Sequence, residues 1–112
     1  MSLRHAEKIL AGDSEAEIKA GIKDALRRAG WKLFDSADNR RVRKQLAGLP
    51  DLVCFRHGVT LLIEAKSATG RLEPSQLMFR EIIKGHTGAS LLYCVARGID
   101  DLPPEVFVLP GV

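Results

Sequence analysis

No apolar stretch in the chain approaches the roughly 20 residues a helix needs to cross a bilayer, and no charged start, apolar run and small-residue cleavage site opens it. A membrane protein is therefore not expected, nor a secreted one; the expected setting is the cytoplasm. Cysteine is scarce. Cys54 and Cys94 both sit in apolar, strand-like runs, and neither belongs to a paired Cys/His spacing, so a structural zinc site has no ligands to draw on. A Cys54–Cys94 disulfide is one reading; free buried thiols in a reducing compartment is the other, and the favoured one. His5, His57 and His86 show no mutual spacing that points to ligation. Repeats, linkers and low-complexity segments are absent, and 112 residues leave room for one domain.

Charge of one sign is not in large excess either: the net charge is +3 and the pI about 9.1, which by itself only slightly favours a nucleic-acid partner. Its distribution says more. Arg40, Arg41, Arg43 and Lys44 crowd into five residues immediately before the segment richest in candidate chemistry. The run reads either as a solvated basic loop or as a phosphate-contacting one, and its place in the chain favours the second.

The first firm element is a helix over about 14–29. Ser14 and Glu17 have capping-box spacing, Ile18, Ile22, Ala25, Leu26 and Ala29 recur at helical period, and Gly30 supplies the stop. Trp31 to Phe34 reads as a short strand, with Trp31 and Phe34 expected to pack the core. Residues 35–48 read as a polar, basic loop. Two strands follow, 51–56 and 59–65, joined by His57-Gly58 as a tight hairpin turn. Both are apolar on both faces, as strands are when a sheet has cover on each side. Pro74 suits the first position of a second helix running to about Lys84. Residues 89–96 form a last core strand, and Val106 to Val108 a short edge strand. Residues 1–12 carry only a weak apolar pattern. The expected fold is α/β: one compact domain with a central mixed sheet flanked by helices, in the order α-β-β-β-α-β.

The hairpin fixes a register. If residues 56 and 59 pair, Asp51 lies directly across from Glu64, with Cβ atoms about 4.5–5.5 Å apart. Lys66, two residues beyond Glu64, falls on the same face. Two carboxylates that close repel one another in an apolar sheet, and a shared proton, a lysine or a cation must offset the cost. Mg²⁺ or Mn²⁺ favours such oxygen ligands, and a lysine beside the ion could orient water or stabilise charge on a phosphate. A purely structural Asp/Glu/Lys cluster is the competing reading. At 100° per residue Glu15 lies about 60° from Ile18 on the apolar stripe, whereas Glu17 points away. Glu15 therefore faces the sheet, either near a metal or simply complementing the helix dipole. Gln76 shares an inward stripe with Phe79 and Ile83. Arg71 and Arg80 flank it, with phosphate contact and plain surface charge equally open.

Taken in order, Glu15, Gly48-x-Pro50-Asp51, Glu64-x-Lys66 and Gln76 resemble the PD-(D/E)XK nuclease superfamily, and more narrowly the small stand-alone VRR-NUC nucleases, many of them phage-borne. Gly70-Arg71-Leu72 and Pro74-Ser75-Gln76 are similar to the family's segment between its lysine and glutamine. The likeness covers about residues 14–97. It implies a restriction-endonuclease-like fold and Mg²⁺-dependent hydrolysis of DNA, with Mn²⁺ as a substitute. Asp51, Glu64 and the Ala65 carbonyl would bind metal, Lys66 would assist the water, Glu15 would contact metal directly or through water, and Gln76 would orient the site. Arg40, Arg41, Arg43, Lys44 and Arg71 are the candidate DNA contacts. The resemblance further implies a homodimer acting on flapped or branched DNA in a bacterial or phage-infected cell. One departure is Lys19, where relatives often carry glutamine.

Overall fold

The computed structural model describes residues 13–38, 41 and 47–108. Helix α1 (Glu15–Arg28) begins where Ser14 Oγ accepts the Glu17 backbone N–H at 3.2 Å, and the Ser14 hydroxyl donates to Glu17 Oε1 at 3.1 Å. It ends in a Schellman closure. Gly30 takes a φ of +88°, its N–H donates to the Arg27 carbonyl, and the Trp31 N–H donates to that of Leu26 at 3.0 Å. Ile18, Ile22 and Leu26, one turn apart, form its buried stripe.

Strands β1 (Lys32–Asp35), β2 (Leu52–Arg56) and β3 (Val59–Ala65) run as an antiparallel meander, and β4 (Leu91–Ala96) lies parallel to β3 after helix α2 (Pro74–Ile83). The sheet order is β1-β2-β3-β4. Mixed pairing and helical crossover agree with the expected α/β arrangement. Arg56 pairs with Val59 across His57 (φ +47°) and Gly58 (φ +79°), two positive values in succession as a type I′ turn requires.

One face of the sheet packs under α1. Leu52, Cys54, Leu61, Ile63, Ala65 and Ala96 meet Ile18, Ile22, Leu26 and Trp31 there. Both cysteines are free, and burial pushes both thiols up to about 12. Asp35 ties α1 to β1 through Lys19 at 3.1 Å and Lys23 at 3.0 Å. Burial works against that carboxylate, yet the Ala37 N–H and the two lysines hold it below its ordinary pKa.

The second face is covered unevenly. Helix α2 lies over β3 and β4, with Phe79 and Tyr93 ring centroids 6.0 Å apart. Toward β1 no helix of the described residues covers the face, and Phe34, expected in the core, is 55% exposed and packs edge-on against Phe55. Trp31 does pack the core, donating its indole N–H to the Val106 carbonyl at 2.9 Å beneath the Arg56 guanidinium. The expected edge strand at 106–108 is instead a 3₁₀ turn, Pro104–Phe107. The Val106 and Val108 N–H groups donate within the turn, to the Pro103 and Glu105 carbonyls, and so are not available to a ladder, and the segment is held through its carbonyls, those of Glu105 and Val108 accepting from Arg56. The weak apolar pattern at 1–12 lies outside the described residues.

Candidate active site

The site sits where β2 begins and β3 ends, on the face beneath α2. The β2–β3 register, Leu52 opposite Ile63, continues by one residue to set Asp51 opposite Glu64. Asp51 is held from both sides: its backbone carbonyl accepts from the Ser36 N–H at 2.8 Å, and its Oδ2 accepts from the Ala65 N–H at 2.9 Å. Behind it, Gly48 (φ +90°) presses against the start of α2. A Cβ there would run into the Ser75 backbone, so only glycine lets the Gly48–Asp51 segment lie this close.

Asp51 is 5% exposed and Glu64 2%. Burial pushes the Glu64 carboxyl up to about 8; Asp51 adds to the shift by charge and by a shared hydrogen bond, and Lys66 offsets part of it. A carboxyl withdrawn from water beside another is costly to ionise without a compensating cation. Gln76 supplies a partial answer: its Nε2 donates to Glu64 Oε1 at 2.8 Å, while its Oε1 accepts from the Glu73 backbone N–H at 2.8 Å. With the amide oxygen engaged at the helix N-cap, the NH₂ end must face Glu64. Gln76 is thus positioned by the capping of α2, a link that residue spacing alone does not reveal.

Lys66 leaves β3 with its backbone N–H donated to the Ala96 carbonyl at 3.0 Å, and its side chain is nearly buried. Its Nζ lies 3.6 Å from Glu15 Oε1. Glu15 does reach the site, from the first turn of α1, but it is half exposed and stands against the lysine; its charge is also the weakest contribution to the Glu64 shift. A small notch of about 120 Å³ opens between Glu15, Ala16, Lys19 and Asp51. Lys19 is committed to Asp35.

Asp51, Glu64, Lys66, Glu15 and Gln76, scattered over 62 residues of sequence (from 15 to 76), therefore converge. Among the described residues no group of three or more His, Cys, Asp or Glu side chains is gathered closely enough to hold a metal on its own. Two buried carboxylates are nevertheless a hard oxygen pair of the sort Mg²⁺ or Mn²⁺ accepts, with backbone carbonyl and water completing the shell. Of the candidate DNA contacts, Arg71 and Arg41 are exposed; Arg40, Arg43 and Lys44 lie outside the described residues. Sequence reasoning missed Arg97. Its guanidinium donates to the Ser67 carbonyl at 2.5 Å and the Gly70 carbonyl at 2.6 Å, bracing the loop that leaves Lys66.

A solved structure described as a "VRR_NUC domain protein" is similar to this chain with a TM-score of 0.53, at 21% sequence identity over 80% of this chain and 82% of the other. The fold is VRR-NUC-like. The likeness extends over four fifths of the chain, so the VRR-NUC-like fold accounts for the domain and not for an isolated motif. No protein-family model matches the chain, and no curated protein does. Among the described residues no helix is long and apolar enough to cross a membrane.

Proposed function

We propose that this protein is a Mg²⁺-dependent endodeoxyribonuclease, with Mn²⁺ able to substitute, hydrolysing phosphodiester bonds in DNA. The observation that carries the reading is the convergence of Asp51 and Glu64, opposed and buried, with Lys66 on the same face. A sheet that hides two facing carboxylates pays in stability for something the fold alone does not need.

In this reading Asp51, Glu64 and the Ala65 carbonyl hold the ion, and Glu15 contacts it directly or through water. Bound there, the ion would offset the paired negative charge, polarise the phosphodiester and lower the pKa of water. The Ala65 N–H fixes one Asp51 oxygen, and the Gln76 amide fixes one Glu64 oxygen, so both carboxylates are held in orientation before an ion arrives. Lys66, steadied by Glu15, presents its ammonium to the attacking water or to the phosphate oxygens as negative charge builds on them. Hydrolysis then forms one bond from water oxygen to phosphorus and breaks one ester bond, the departing oxygen taking a proton.

Arg71 and the run Arg40, Arg41, Arg43 and Lys44 would contact backbone phosphates. So small a domain offers little surface for reading bases, which favours selection of DNA shape, a flap or branch, over a long sequence. Assembly as a homodimer belongs to the same proposal; the exposed apolar side chains of Phe34, Met78 and Ile82 favour it. The test is a panel of linear, flapped, splayed and four-way DNA incubated with Mn²⁺. Cleavage of branched over linear substrate is the expected result; a protein that binds these DNAs and cuts none would be a catalytically silent binding module of the same fold.

A further inference from the structure

Beside the acidic pair, an open groove of about 440 Å³ runs along the outer side of β4 under α2. Its rim carries three arginines, Arg71, Arg80 and Arg97, its apolar floor is Leu72, Leu77 and Val95, and among the described residues no acidic one lines it. The groove is not remote from the site. Val95 is the cross-strand partner of Glu64, one strand spacing away, and continuing that register sets Arg97 beside Lys66.

The three cations differ in how they are engaged. Arg97 is fixed by the Ser67 and Gly70 carbonyls, which place its charge without neutralising it. Arg80 has a buried Nε with no hydrogen-bond partner among the described residues, and its ion-pair contact with Glu81 is long, at 4.0 Å. Arg71 makes no ion pair or hydrogen bond among the described residues, and its side chain is exposed. Three like charges around one hollow, with an unmet N–H among them, form a site short of an anion. Arginine forks match phosphate oxygens, and an apolar floor suits the sugar and base attached to them.

We infer that this groove binds the DNA backbone next to the bond that is cut, Arg71 and Arg80 each taking a phosphate oxygen while Arg97 holds the Lys66–Gly70 loop in place. The strand would thus run along β4 and beneath α2. The groove's place beside a scissile bond rests on the proposed nuclease activity; its affinity for DNA does not.

Binding is therefore measured without reaction, by fluorescence anisotropy of fluorescein-labelled single-stranded and duplex oligonucleotides in EDTA over a range of KCl concentrations. Wild type is compared with Arg71→Gln/Arg80→Gln and with Arg27→Gln/Arg28→Gln, which removes the same charge from the exposed end of α1. The groove variant should bind on the order of tenfold more weakly, with a log–log salt slope shallower by about 1.4–1.8, the loss of two phosphate contacts. The α1 variant should keep the wild-type slope. Thermal melting establishes that both fold; should the double variant not fold, Arg71→Gln alone must lose about half as much slope. An unchanged slope in the groove variant, or an equal loss in the α1 variant, overturns the inference. Its failure is distinct from that of the nuclease reading. Wild type that cuts DNA with a slope indifferent to Arg71 and Arg80 leaves the activity and removes the groove. Arginine-dependent binding without cleavage in Mn²⁺ leaves the groove and removes the activity.

Discussion

Gln76 Nε2 donates to Glu64 Oε1 at 2.8 Å, and the amide cannot turn over because its oxygen is already engaged by the Glu73 N–H. The N-terminus of α2 thereby sets the direction of the most deeply buried carboxylate in the candidate site. Gln76→Ala should lower Mn²⁺-dependent DNA cleavage about 10- to 100-fold, the usual effect of losing a partner that orients a metal ligand. Gln76→Glu should be worse, since it brings a third carboxylate against Glu64. Cleavage rates of both variants, with calorimetric Mn²⁺ titration alongside, check this; a Gln76→Ala protein with wild-type rate and affinity would show the contact to be incidental.

Stability should depend on pH through Glu64. Its carboxyl is raised from an ordinary value near 4.5 to about 8, chiefly by burial and then by Asp51. The folded chain therefore holds a proton that the unfolded chain has lost, and the stability this carboxyl contributes is fully present below the ordinary pKa and is lost as pH rises through the folded one. In EDTA the melting temperature should fall between about pH 5 and pH 9, by an amount equivalent to a few kcal/mol. Glu64→Gln should flatten that dependence. A wild-type melting temperature level across the window would count against a desolvated carboxyl.

The same pair should make stability respond to metal. An ion that binds only the folded chain raises the melting temperature, the stabilisation growing with the logarithm of its concentration once the site is filled. Millimolar Mn²⁺ at alkaline pH should therefore stabilise the wild type and leave Asp51→Ala and Glu64→Ala unmoved. Equal shifts in all three proteins would mean that cations act elsewhere.

Gly48 should tolerate no side chain. Its φ of +90° disfavours any L-residue, and a Cβ would meet the Ser75 backbone. Gly48→Ala should cost about 1–3 kcal/mol from the backbone strain alone, with the collision added, and should loosen Asp51. Gly85→Ala, where a Cβ would sit 3.7 Å from the Ile82 carbonyl, is the matched control. Denaturant titration separates them, and equal stability of the two variants would contradict the packing described.

Much of this was legible in the sequence because local chemistry decided it. Ser14 caps α1, Gly30 closes it, and a two-residue His57-Gly58 loop admits one register, which carries Asp51 to Glu64 without any tertiary knowledge. Other features turned on partners distant in sequence. Phe34 looks like a core residue, yet α2 covers only the β3–β4 half of its face and leaves it exposed. Val106 to Val108 has a strand's composition, but Pro103-Pro104 and the reach of Arg56 fold it as a 3₁₀ turn. Arg97, a lone charge after a strand, carries no local signal for the loop it braces. The orientation of Gln76 depends on a backbone N–H of Glu73, and only the geometry of the helix start brings that into view.

The central claim is that opposed carboxylates and a neighbouring lysine hydrolyse DNA. Wild type, Asp51→Ala, Glu64→Ala and Lys66→Ala, purified identically and matched for folding by circular dichroism, should be incubated with Mn²⁺ and end-labelled branched DNA. The wild type should produce discrete cleavage products that EDTA abolishes, and each variant should lose them while still binding the DNA. Wild-type protein that leaves every substrate intact, or a Glu64→Ala protein that cuts as fast as wild type, would contradict it.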